Sequence, residues 1–274
     1  MSKLKISIVV LTYNEAINIE RCLKSVSWSD DVLVIDSGST DGTCEMAIKL
    51  GARVIFRAFD NFANQRNFAL DQGQLINDWV LHIDADEVVS QELKSELNVI
   101  IDKGDCMAAY RVPSKLMLMG QWLKYSGMYP LYQVRFGSRE KLRFHMVGHG
   151  QREILDSNMV GNLKGHLVHF NFSKGISEWL AKHARYARDE AVTSIENAGS
   201  YRWRDLFFAK NPMERRRILK GLSYSLPMRP LLRFIYIYFF RKGFLDGRGG
   251  LRYALLIATY QWAIDMNMIE KEAD

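Results

Sequence analysis

The chain has 274 residues, 48% of them hydrophobic and 25% charged, which suits one large α/β domain or a smaller domain with an appendage. Its 19 glycines and 5 prolines are too few for a collagen-like or low-complexity chain. The three cysteines, Cys22, Cys44 and Cys106, are an odd number without CxxC spacing. This argues against a disulfide scaffold or a cysteine zinc site and favours a reducing compartment.

The net charge of +6 is unevenly distributed along the chain. Residues 1–110 hold 10 basic and 17 acidic side chains, whereas residues 111–274 hold 27 basic and 14 acidic ones. An acidic first part and a basic second part indicate two different tasks. We expect the basic part to face an anionic partner: a nucleic acid, a phospholipid surface or a phosphorylated substrate.

Strand-like and helix-like segments alternate over the first 90 residues. Apolar, β-branched runs predict buried strands, and apolar residues at helical spacing predict helices between them. The predicted strands are 6–13, 31–43 with its turn-rich end, 52–56 and 78–87, and the predicted helices are 15–27, 44–50 and 62–72. Asn14 and Asp41 are candidate caps of the first two helices. The alternation predicts right-handed βαβ units around a mostly parallel sheet.

The pattern is less regular after residue 106. Strand pieces are predicted around 107–112, 132–136 and 163–170, and a helix of about six turns follows from Ser173. Residues 226–264 contain two apolar stretches, LLRFIYIYFF and YALLIATYQWAI, each shorter than the roughly 18–20 residues that cross a bilayer. The first residues, MSKLKISIVVLTYNE, predict a buried strand and no signal peptide, so we expect a cytosolic chain.

Three of the predicted strands end in polar clusters, at 12–15, 36–43 and 84–87. Ligands of parallel α/β sheets bind outside the carboxyl ends of the strands. Asp84 and Asp86 point to the same side of an extended chain, and a divalent cation with substrate phosphates would compensate their charge. The structural alternative is a solvated strand end, followed by a helix whose amino end Glu87 stabilises.

The loop DSGSTDGT at 36–43 combines a strand-end acid with glycines that let the backbone approach a ligand. Asp36 is placed to accept a hydrogen bond from a base or a ribose, while Asp41 can simply cap the next helix. The loop matches neither GxGxxG nor GxxxxGKS/T, so the sequence lacks the phosphate cradles of dehydrogenases and P-loop proteins.

The segments VVLTYNEAINIERCLKSV, VIDSGSTDGT and WVLHIDADE, in this order and spacing, resemble family 2 glycosyltransferases with a GT-A fold. The resemblance covers about residues 1–155, and FANQRNFAL with HFNFSKGISEWLAKHARYARDEA narrows it to the lipopolysaccharide core glucosyltransferases of bacteria. It implies a GT-A catalytic domain over 1–172, with a Rossmann-like, mostly parallel sheet flanked by helices. A helical, basic and aromatic-rich extension would occupy 173–274.

The same resemblance implies the residues of the site. The nucleotide-sugar site would comprise Thr12, Tyr13, Asn14, Glu15, Asp36, Ser37, Gln65, Arg66, Asp84 and Ala85. Asp36 would contact the base, and Gln65 with Arg66 would lie near the ribose or the phosphates. Asp84 would touch the ribose or the sugar. Asp86 would bind Mg²⁺ or Mn²⁺, which stabilises the departing diphosphate in an inverting, in-line transfer.

A catalytic base must deprotonate the acceptor hydroxyl in such a reaction. The resemblance places it some tens of residues past the acid pair, where the segment GHGQRE lies at 148–153. Glu153 is the first candidate and His149 the second, while Glu140 and Asp156 are competing acids.

Two histidine pairs have spacings that superficially suggest zinc. They are His145 with His149, and His166 with His169. Near glycines and within a predicted strand these spacings do not align two ligands, so structural or substrate hydrogen bonding is favoured. His169 or His183 is an alternative contact of the diphosphate.

Basic side chains surround the aromatic stretch FIYIYFF. They are Arg215, Arg216, Arg217, Lys220, Arg229, Arg233, Arg241, Lys242, Arg248 and Arg252. We favour a helical element that lies in the membrane interface and is attracted by anionic lipids. The alternative is a pair of helices packed on the catalytic domain or on a second subunit. The charge alone would also fit nucleic acid, but the sequence shows no RNA- or DNA-binding module pattern.

The resemblance therefore implies a metal-dependent inverting transferase that moves a hexose from a nucleotide-sugar, with UDP as the expected nucleotide. The acceptor would be a lipid-linked envelope saccharide such as lipopolysaccharide core or an exopolysaccharide precursor. We expect a peripheral protein on the inner face of the cytoplasmic membrane, and an oligomer is compatible with the sequence. Two alternatives remain open: transfer to a polyprenyl phosphate, and a non-catalytic nucleotide-sugar-binding scaffold protein.

Overall fold

A computed structural model describes residues 3–104, 107–147, 150–197, 202–209, 212–223, 226 and 228–273. The chain groups into two compact units. The first contains residues 1–124 and 128–174, and the second contains residues 125–127 and 175–274. All strands of the described chain lie in the first unit, and the second is helical.

A large mixed sheet forms the centre of the first unit. Its strands are β1 (Leu4–Thr12), β2 (Ser29–Asp36), β3 (Arg53–Phe56), β4 (Trp79–Asp84), β5 (Glu87–Val89), β6 (Ala109–Leu118), β7 (Gln121–Trp122), β8 (Leu131–Ser138), β11 (Val160–Asn162) and β12 (Leu167–His169). The order is β3-β2-β1-β4-β8-β6-β12-β5, with β7 and β11 paired to β6. Strands β3, β2, β1 and β4 are parallel, and β8 then runs antiparallel to both β4 and β6. The hairpin of β9 (Phe144–Val147) and β10 (Gly150–Glu153) forms a separate two-stranded sheet.

Helices cover both faces of the parallel strands. They are α1 (Ala16–Ser25), α2 (Thr43–Lys49), α3 (Phe62–Gln72) and α4 (Gln91–Lys103), and a short 3-10 turn spans Ser157–Met159. Ile8 and Val10 of β1 pack in one core cluster with residues of α1 and α4, while Val9 and Leu11 pack in another with residues of α3. A strand covered on both faces needs consecutive apolar residues, which explains the run ISIVVL. The predicted α/β, GT-A-like fold is confirmed.

The parallel pairing brings three strand ends to one edge of the sheet. Thr12 pairs with Asp36 across β1 and β2, and Leu11 pairs with Asp84 across β1 and β4. The polar residues that follow these strands therefore start from the same edge, as the sequence predicts.

Two local predictions differ from the structure. Within the strand predicted over 163–170, the structure has only β12, at Leu167–His169. Strand β11 ends before this range, at Asn162, and the turn between the two strands donates its Lys164 and Gly165 N–H groups to Glu96 of α4. A Cβ atom at Gly165 would lie 2.3 Å from the Cα of Leu93, so the turn packs directly on α4 and interrupts the strand. Asn14 is not the cap of α1: Glu15 occupies that position, and the Asn14 side chain bonds a different loop.

The second unit is built from helices. They are α5 (Ile176–Asn197), α6 (Asp205–Phe208), α7 (Pro212–Ser223), α8 (Arg229–Ile235) and α9 (Gly247–Ala273), with a π-helical turn over Tyr236–Phe240 and a 3-10 turn over Gly243–Asp246. Helix α9 packs on α5 through the small side chains Ala187 and Ala191 and on α8 through an Arg229–Asp265 ion pair of 2.6 Å. In the described parts of the chain, every helix is too short or too polar to span a bilayer.

Candidate active site

The loops that follow β1 and β2 are tied together by Asn14. Its backbone is in the left-handed region, with φ at 52°, which asparagine tolerates better than most residues. The Asn14 N–H donates to Oγ of Ser39 at 2.7 Å, and its side-chain Oδ1 accepts from the Thr40 N–H at 2.8 Å. The two predicted motifs are thus one interlocked structure.

The same pair of loops shares the starts of two helices. The Glu15 N–H donates to the Thr43 hydroxyl at 2.8 Å, and the Ala16 N–H donates to Oδ2 of Asp41 at 3.0 Å. The other oxygen of Asp41 accepts from the Thr43 N–H at 3.1 Å. Gly42, and not the predicted Asp41, occupies the cap position of α2. Asp41 lies one residue earlier, and its carboxylate accepts from the first N–H of α2 and from the first N–H of α1.

The carboxylate of Asp36 organises its own loop. It is buried, and its Oδ2 accepts from the N–H groups of Gly38 and Ser39, both at 2.8 Å. The following Ser37 donates its N–H to the Thr12 carbonyl at 3.0 Å. Thr12, Asp36 and Ser37 are therefore brought together at the strand edge, and the Thr12 hydroxyl is buried without a hydrogen-bond partner among the described residues.

Helix α3 supplies Gln65 and Arg66, and Asn61 caps it by accepting from the Asn64 N–H at 2.9 Å. Nε2 of Gln65 donates to Ser37 Oγ at 3.2 Å, so the helix contacts the loop after β2. The Gln65 Oε1 atom is buried and has no partner among the described residues. Both predicted side chains thus lie at the predicted edge.

Asp84 is held between two buried arginines. Its Oδ1 accepts from Arg66 at 2.8 Å, and its Oδ2 accepts from Arg135 of β8 at 2.8 Å. Arg135 also donates to Glu87 at 3.0 Å, and Glu87 accepts from the Asp84 N–H at 2.9 Å. Burial raises the pKa of Asp84, but the two guanidinium groups outweigh it and hold that pKa well below its usual range. Asp84 is therefore a fixed carboxylate.

This cluster contains buried nitrogen atoms without protein partners. Within the described residues, Nε and Nη1 of Arg66, Nη1 of Arg135 and both ring nitrogens of His82 are buried and unpaired. Burial and the adjacent Arg135 lower the pKa of Arg66 to about 10. Burial and the same two arginines lower the pKa of His82, so this imidazole is neutral. Burying a hydrogen-bond donor without a partner costs free energy of folding. A polar ligand group or an ordered water would supply the missing partner.

Asp86 faces a histidine from another strand. Strand β12 runs antiparallel to β5, and its last residue His169 places Nε2 at 3.1 Å from Oδ2 of Asp86. Burial lowers the pKa of His169, but the Asp86 carboxylate outweighs it and raises that pKa to about 9. Ala85 lies between the two acids, is buried, and donates its N–H to the Leu11 carbonyl at 3.0 Å, which fixes the turn against β1.

A carboxylate oxygen and an imidazole nitrogen at this spacing are both metal ligands. Among the described residues, no group of three or more His, Cys, Asp and Glu side chains is arranged to hold a metal by itself. Mg²⁺ is commonly bound by one or two protein carboxylates together with substrate phosphates. The donor set of Asp86 and His169 therefore fits a cation that replaces the His169 proton and takes its remaining ligands from a bound diphosphate.

Glu15 and Tyr13 meet a lysine from the end of the first unit. The Lys174 ammonium lies 2.6 Å from Oε1 of Glu15 and donates to the Tyr13 carbonyl at 3.2 Å. Oε2 of Glu15 accepts from Asn18 at 2.6 Å. Burial raises the pKa of Glu15 despite these partners. The Tyr13 ring is exposed, so it is accessible to a ligand.

Of the two candidate bases, the structure describes Glu153 and does not describe His149. Glu153 lies at the end of β10, where it accepts from Arg111 of β6 at 2.9 Å. Within the described part of the chain, Glu153 forms this ion pair and makes no contact with Asp84 or Asp86. His149 lies outside the described residues.

Sequence reasoning missed Arg135, Lys174 and Arg111. Arg135 carried a detectable signal, since it is a lone charge between the apolar Val134 and Phe136 in a predicted strand piece. A charged side chain at such a position is almost never buried unless it is paired. Nothing in the sequence identifies its partners, which lie 48 and 51 positions away.

The fold defines an α/β protein whose polar loops follow the carboxyl ends of parallel strands, and comparison with known proteins gives the family. The family model for glycosyl transferase family 2 matches residues 7–162. The chain belongs to this family.

Several curated proteins are similar to this chain. An uncharacterized glycosyltransferase of Rickettsia felis is 42% identical over 118 residues, which cover 42% of this chain and 40% of that protein. One from Rickettsia typhi is 38% identical over 144 residues, covering 49% and 48%. The chain thus matches less than half the length of these relatives. The lipopolysaccharide core biosynthesis glycosyltransferase LpsC of Rhizobium meliloti is 25% identical over 270 residues, covering 94% of this chain and 92% of that protein.

Among solved structures, glucosyl-3-phosphoglycerate synthase from Mycobacterium tuberculosis, in complex with phosphoglyceric acid, aligns with a TM-score of 0.48. Its sequence is 23% identical, and the alignment covers 68% of this chain and 78% of that one.

Proposed function

We propose that this protein is an inverting hexosyltransferase that uses a nucleotide-sugar donor, with UDP as the nucleotide. The acceptor is a lipid-linked envelope saccharide, such as lipopolysaccharide core or an exopolysaccharide precursor. The similarity to LpsC supports this acceptor class, because it extends over 94% of this chain. The three cysteines without pairing spacing support a reaction on the cytoplasmic side of the membrane.

One observation carries the proposal: the strand edge brings an interlocked loop pair next to Asp84 and the Asp86–His169 pair. The interlocked loops after β1 and β2 carry the exposed Tyr13, which a base can contact, and the buried Asp36, whose strand-end position pairs with Thr12. Around Asp84, the two arginines have buried nitrogen atoms without a partner among the residues that the structure describes, which favours a ligand with polar groups there. A nucleoside diphosphate sugar has a base, a ribose and phosphates in that order. These parts match, in turn, the loop pair, the surroundings of Asp84 and the Asp86–His169 pair.

Asp86 and His169 are the residues that would hold Mg²⁺ or Mn²⁺. When bound, the cation supplies charge that stabilises the departing diphosphate. Asp84 is positioned by its two arginines to accept hydrogen bonds from ribose or sugar hydroxyls. Ala85 fixes both acids relative to β1 through its N–H.

Glu153 is the proposed base. It would accept the proton of the acceptor hydroxyl while that oxygen forms a bond to the anomeric carbon and the bond from this carbon to the diphosphate oxygen breaks. Arg111, at 2.9 Å, orients the Glu153 carboxylate. Glu153 is part-buried in a hairpin, so a closing acceptor can exclude water from it.

The test is calorimetric titration of UDP into the full chain, first with Mn²⁺ and then with EDTA. We expect micromolar binding that depends on the metal. Asp86→Asn should weaken this binding roughly 10-fold or more, because it removes a charged ligand. Asp78→Asn is the matched control, since Asp78 precedes β4 at the opposite edge and its side chain is 94% exposed.

Two results would contradict the proposal. If UDP, GDP and dTDP all show no binding, the result would favour the scaffold alternative or another ligand. If UDP binding to Asp86→Asn depends on the metal as strongly as wild-type binding does, Asp86 is not a metal ligand. Release of UDP and hexose from UDP-sugars by the wild type, and its loss in Asp86→Asn, would support a catalytic role.

A further inference from the structure

A turn in the second unit exposes four large apolar side chains. We call residues 239–245, at the end of the π-helical turn and through the 3-10 turn, the Phe turn. The exposed fractions are 55% for Phe239, 76% for Phe240, 46% for Phe244 and 54% for Leu245. Single exposed apolar residues are normal on protein surfaces, but a contiguous aromatic group marks a site of interaction.

The backbone of the Phe turn is fixed by close packing. A Cβ atom at Gly243 would lie 2.7 Å from the Ile237 carbonyl oxygen, and one at Gly250 would lie 1.9 Å from the Gly243 carbonyl oxygen. Asp246 is buried, and its carboxylate accepts from the Ser126 N–H and hydroxyl, both at 2.7 Å. The exposure of the aromatic rings is therefore a property of a well-packed turn and not of a loose loop.

The charges around the Phe turn are almost all positive. Residues 236–252 contain the basic side chains Arg241, Lys242, Arg248 and Arg252 and a single acid, Asp246. Lys242, Arg248 and Arg252 are exposed, whereas Asp246 is buried by its hydrogen bonds. The segment that carries the aromatic rings thus has a net positive charge, which a negatively charged partner would complement.

A second copy of the chain is a poor partner for this surface. In a two-fold contact the same patch would meet itself, which brings Lys242 and Arg248 of each copy close to the basic side chains of the other. Like charges opposed across an interface are unfavourable. Aromatic rings beside basic side chains instead match the interface of an anionic bilayer, where rings lie at the headgroup level and cations contact lipid phosphates.

We propose that the Phe turn inserts into the surface of an anionic lipid bilayer. The four apolar side chains enter the boundary between headgroups and acyl chains, and Lys242 and its basic neighbours contact the phosphates. The inference deepens the proposed function, because a lipid-linked acceptor would be met at the bilayer surface. Only this link to the acceptor rests on the proposed function.

The test is co-sedimentation of the full chain with vesicles of phosphatidylcholine that contain roughly one third phosphatidylglycerol, a composition with a negative surface potential. The variant is the double substitution Phe239→Ser with Phe240→Ser. Since removal of one inserted phenyl group costs about 10-fold in partitioning, we expect its vesicle partition coefficient to fall about 100-fold. The matched control is Ile48→Ser with Ile76→Ser, which removes two exposed apolar side chains from the first unit.

A charge variant completes the design. Arg241→Gln with Lys242→Gln should weaken binding to these vesicles by roughly 10-fold and leave weak binding to pure phosphatidylcholine unchanged. Circular dichroism of each variant serves as the control for the fold of the helical second unit, which carries both substitutions. UDP titration serves as the control for the proposed donor site in the first unit. Loss of vesicle binding with intact UDP binding supports the inference, whether or not the acceptor is a lipid-linked saccharide.

Three results would overturn it. One is wild-type protein that stays in solution with anionic vesicles. Another is a Phe239→Ser, Phe240→Ser variant that binds them as well as the Ile48→Ser, Ile76→Ser control. The third is light scattering that shows a wild-type oligomer dispersed by the Phe variant, without any vesicle binding, which would assign the Phe turn to self-association.

Discussion

Replacement of Arg135 by methionine tests the buried ion cluster around Asp84. Arg135 is 5% exposed and Glu87 is 1% exposed, so their ion pair of 3.0 Å is shielded from water. Methionine fills a similar volume but leaves Glu87 without its cation. Asp84 would then keep Arg66 as its described cationic partner.

The expected loss follows from this burial. Removing one partner of a buried ion pair costs about 3–5 kcal/mol of the free energy of unfolding, because the remaining charge is left uncompensated. This is a large share of the roughly 5–15 kcal/mol that stabilises a typical domain. Adding Glu87→Gln removes that charge and keeps an oxygen for the Asp84 N–H, so the double variant should recover to within about 2 kcal/mol of the wild type.

Urea unfolding followed by circular dichroism measures the loss. Because the chain has two compact units, hydrogen exchange of peptides from β4 and β8, read by mass spectrometry, assigns the change to the first unit. The control is Lys24→Met, which breaks an ion pair whose side chains are 66% and 54% exposed and should cause no measurable loss. The reasoning is refuted if Arg135→Met is as stable as this control, or if the double variant is no more stable than Arg135→Met.

Two further predictions concern the proposed base and a structural acid. Glu153→Gln should leave UDP affinity unchanged and lower hexose transfer by roughly 10²–10⁴-fold, with the exposed Glu140→Gln as control; full turnover would place the base elsewhere. Burial raises the pKa of Asp31, but hydrogen bonds from Ser7 and Arg53 outweigh it and hold the pKa below 3.8. Its contribution is therefore present above pH 3.8 and lost as the pH falls through the folded-state pKa. Asp31→Asn should reduce the free energy of unfolding by about 1–2 kcal/mol near pH 7, and urea midpoints should converge in acid; a pH-independent difference would contradict this.

Prediction from the sequence succeeded where a residue's environment follows from its neighbours in the chain. The run ISIVVL predicts a strand buried on both faces. Polar residues directly after parallel strands of this kind lie at one edge of the sheet. The helix predicted over 62–72 has these bounds in the structure. The shared edge of the strand ends follows from this reasoning, whereas the nucleotide-site residues were implied by the family resemblance and stay predictions.

It failed where contacts join distant segments. The split between β11 and β12 depends on the approach of Gly165 to Leu93, which no local pattern encodes. Asn14 has a good capping side chain, but Thr40 competes for it across 26 positions and takes the bond. The partner of Asp86 is likewise set by the antiparallel pairing of β12 with β5. The sequence indicated His169, with His183, only as an alternative contact of the diphosphate.

The hydrogen bonds of Asn14, Glu15 and Ala16 to the loop after β2 have a consequence for engineering. Neither loop can be exchanged for that of a relative without leaving donors or acceptors of the other unmatched. Attempts to redirect the choice of nucleotide should therefore transplant residues 12–16 and 36–43 as one cassette. A single-loop graft would be expected to impair folding before it reveals anything about specificity.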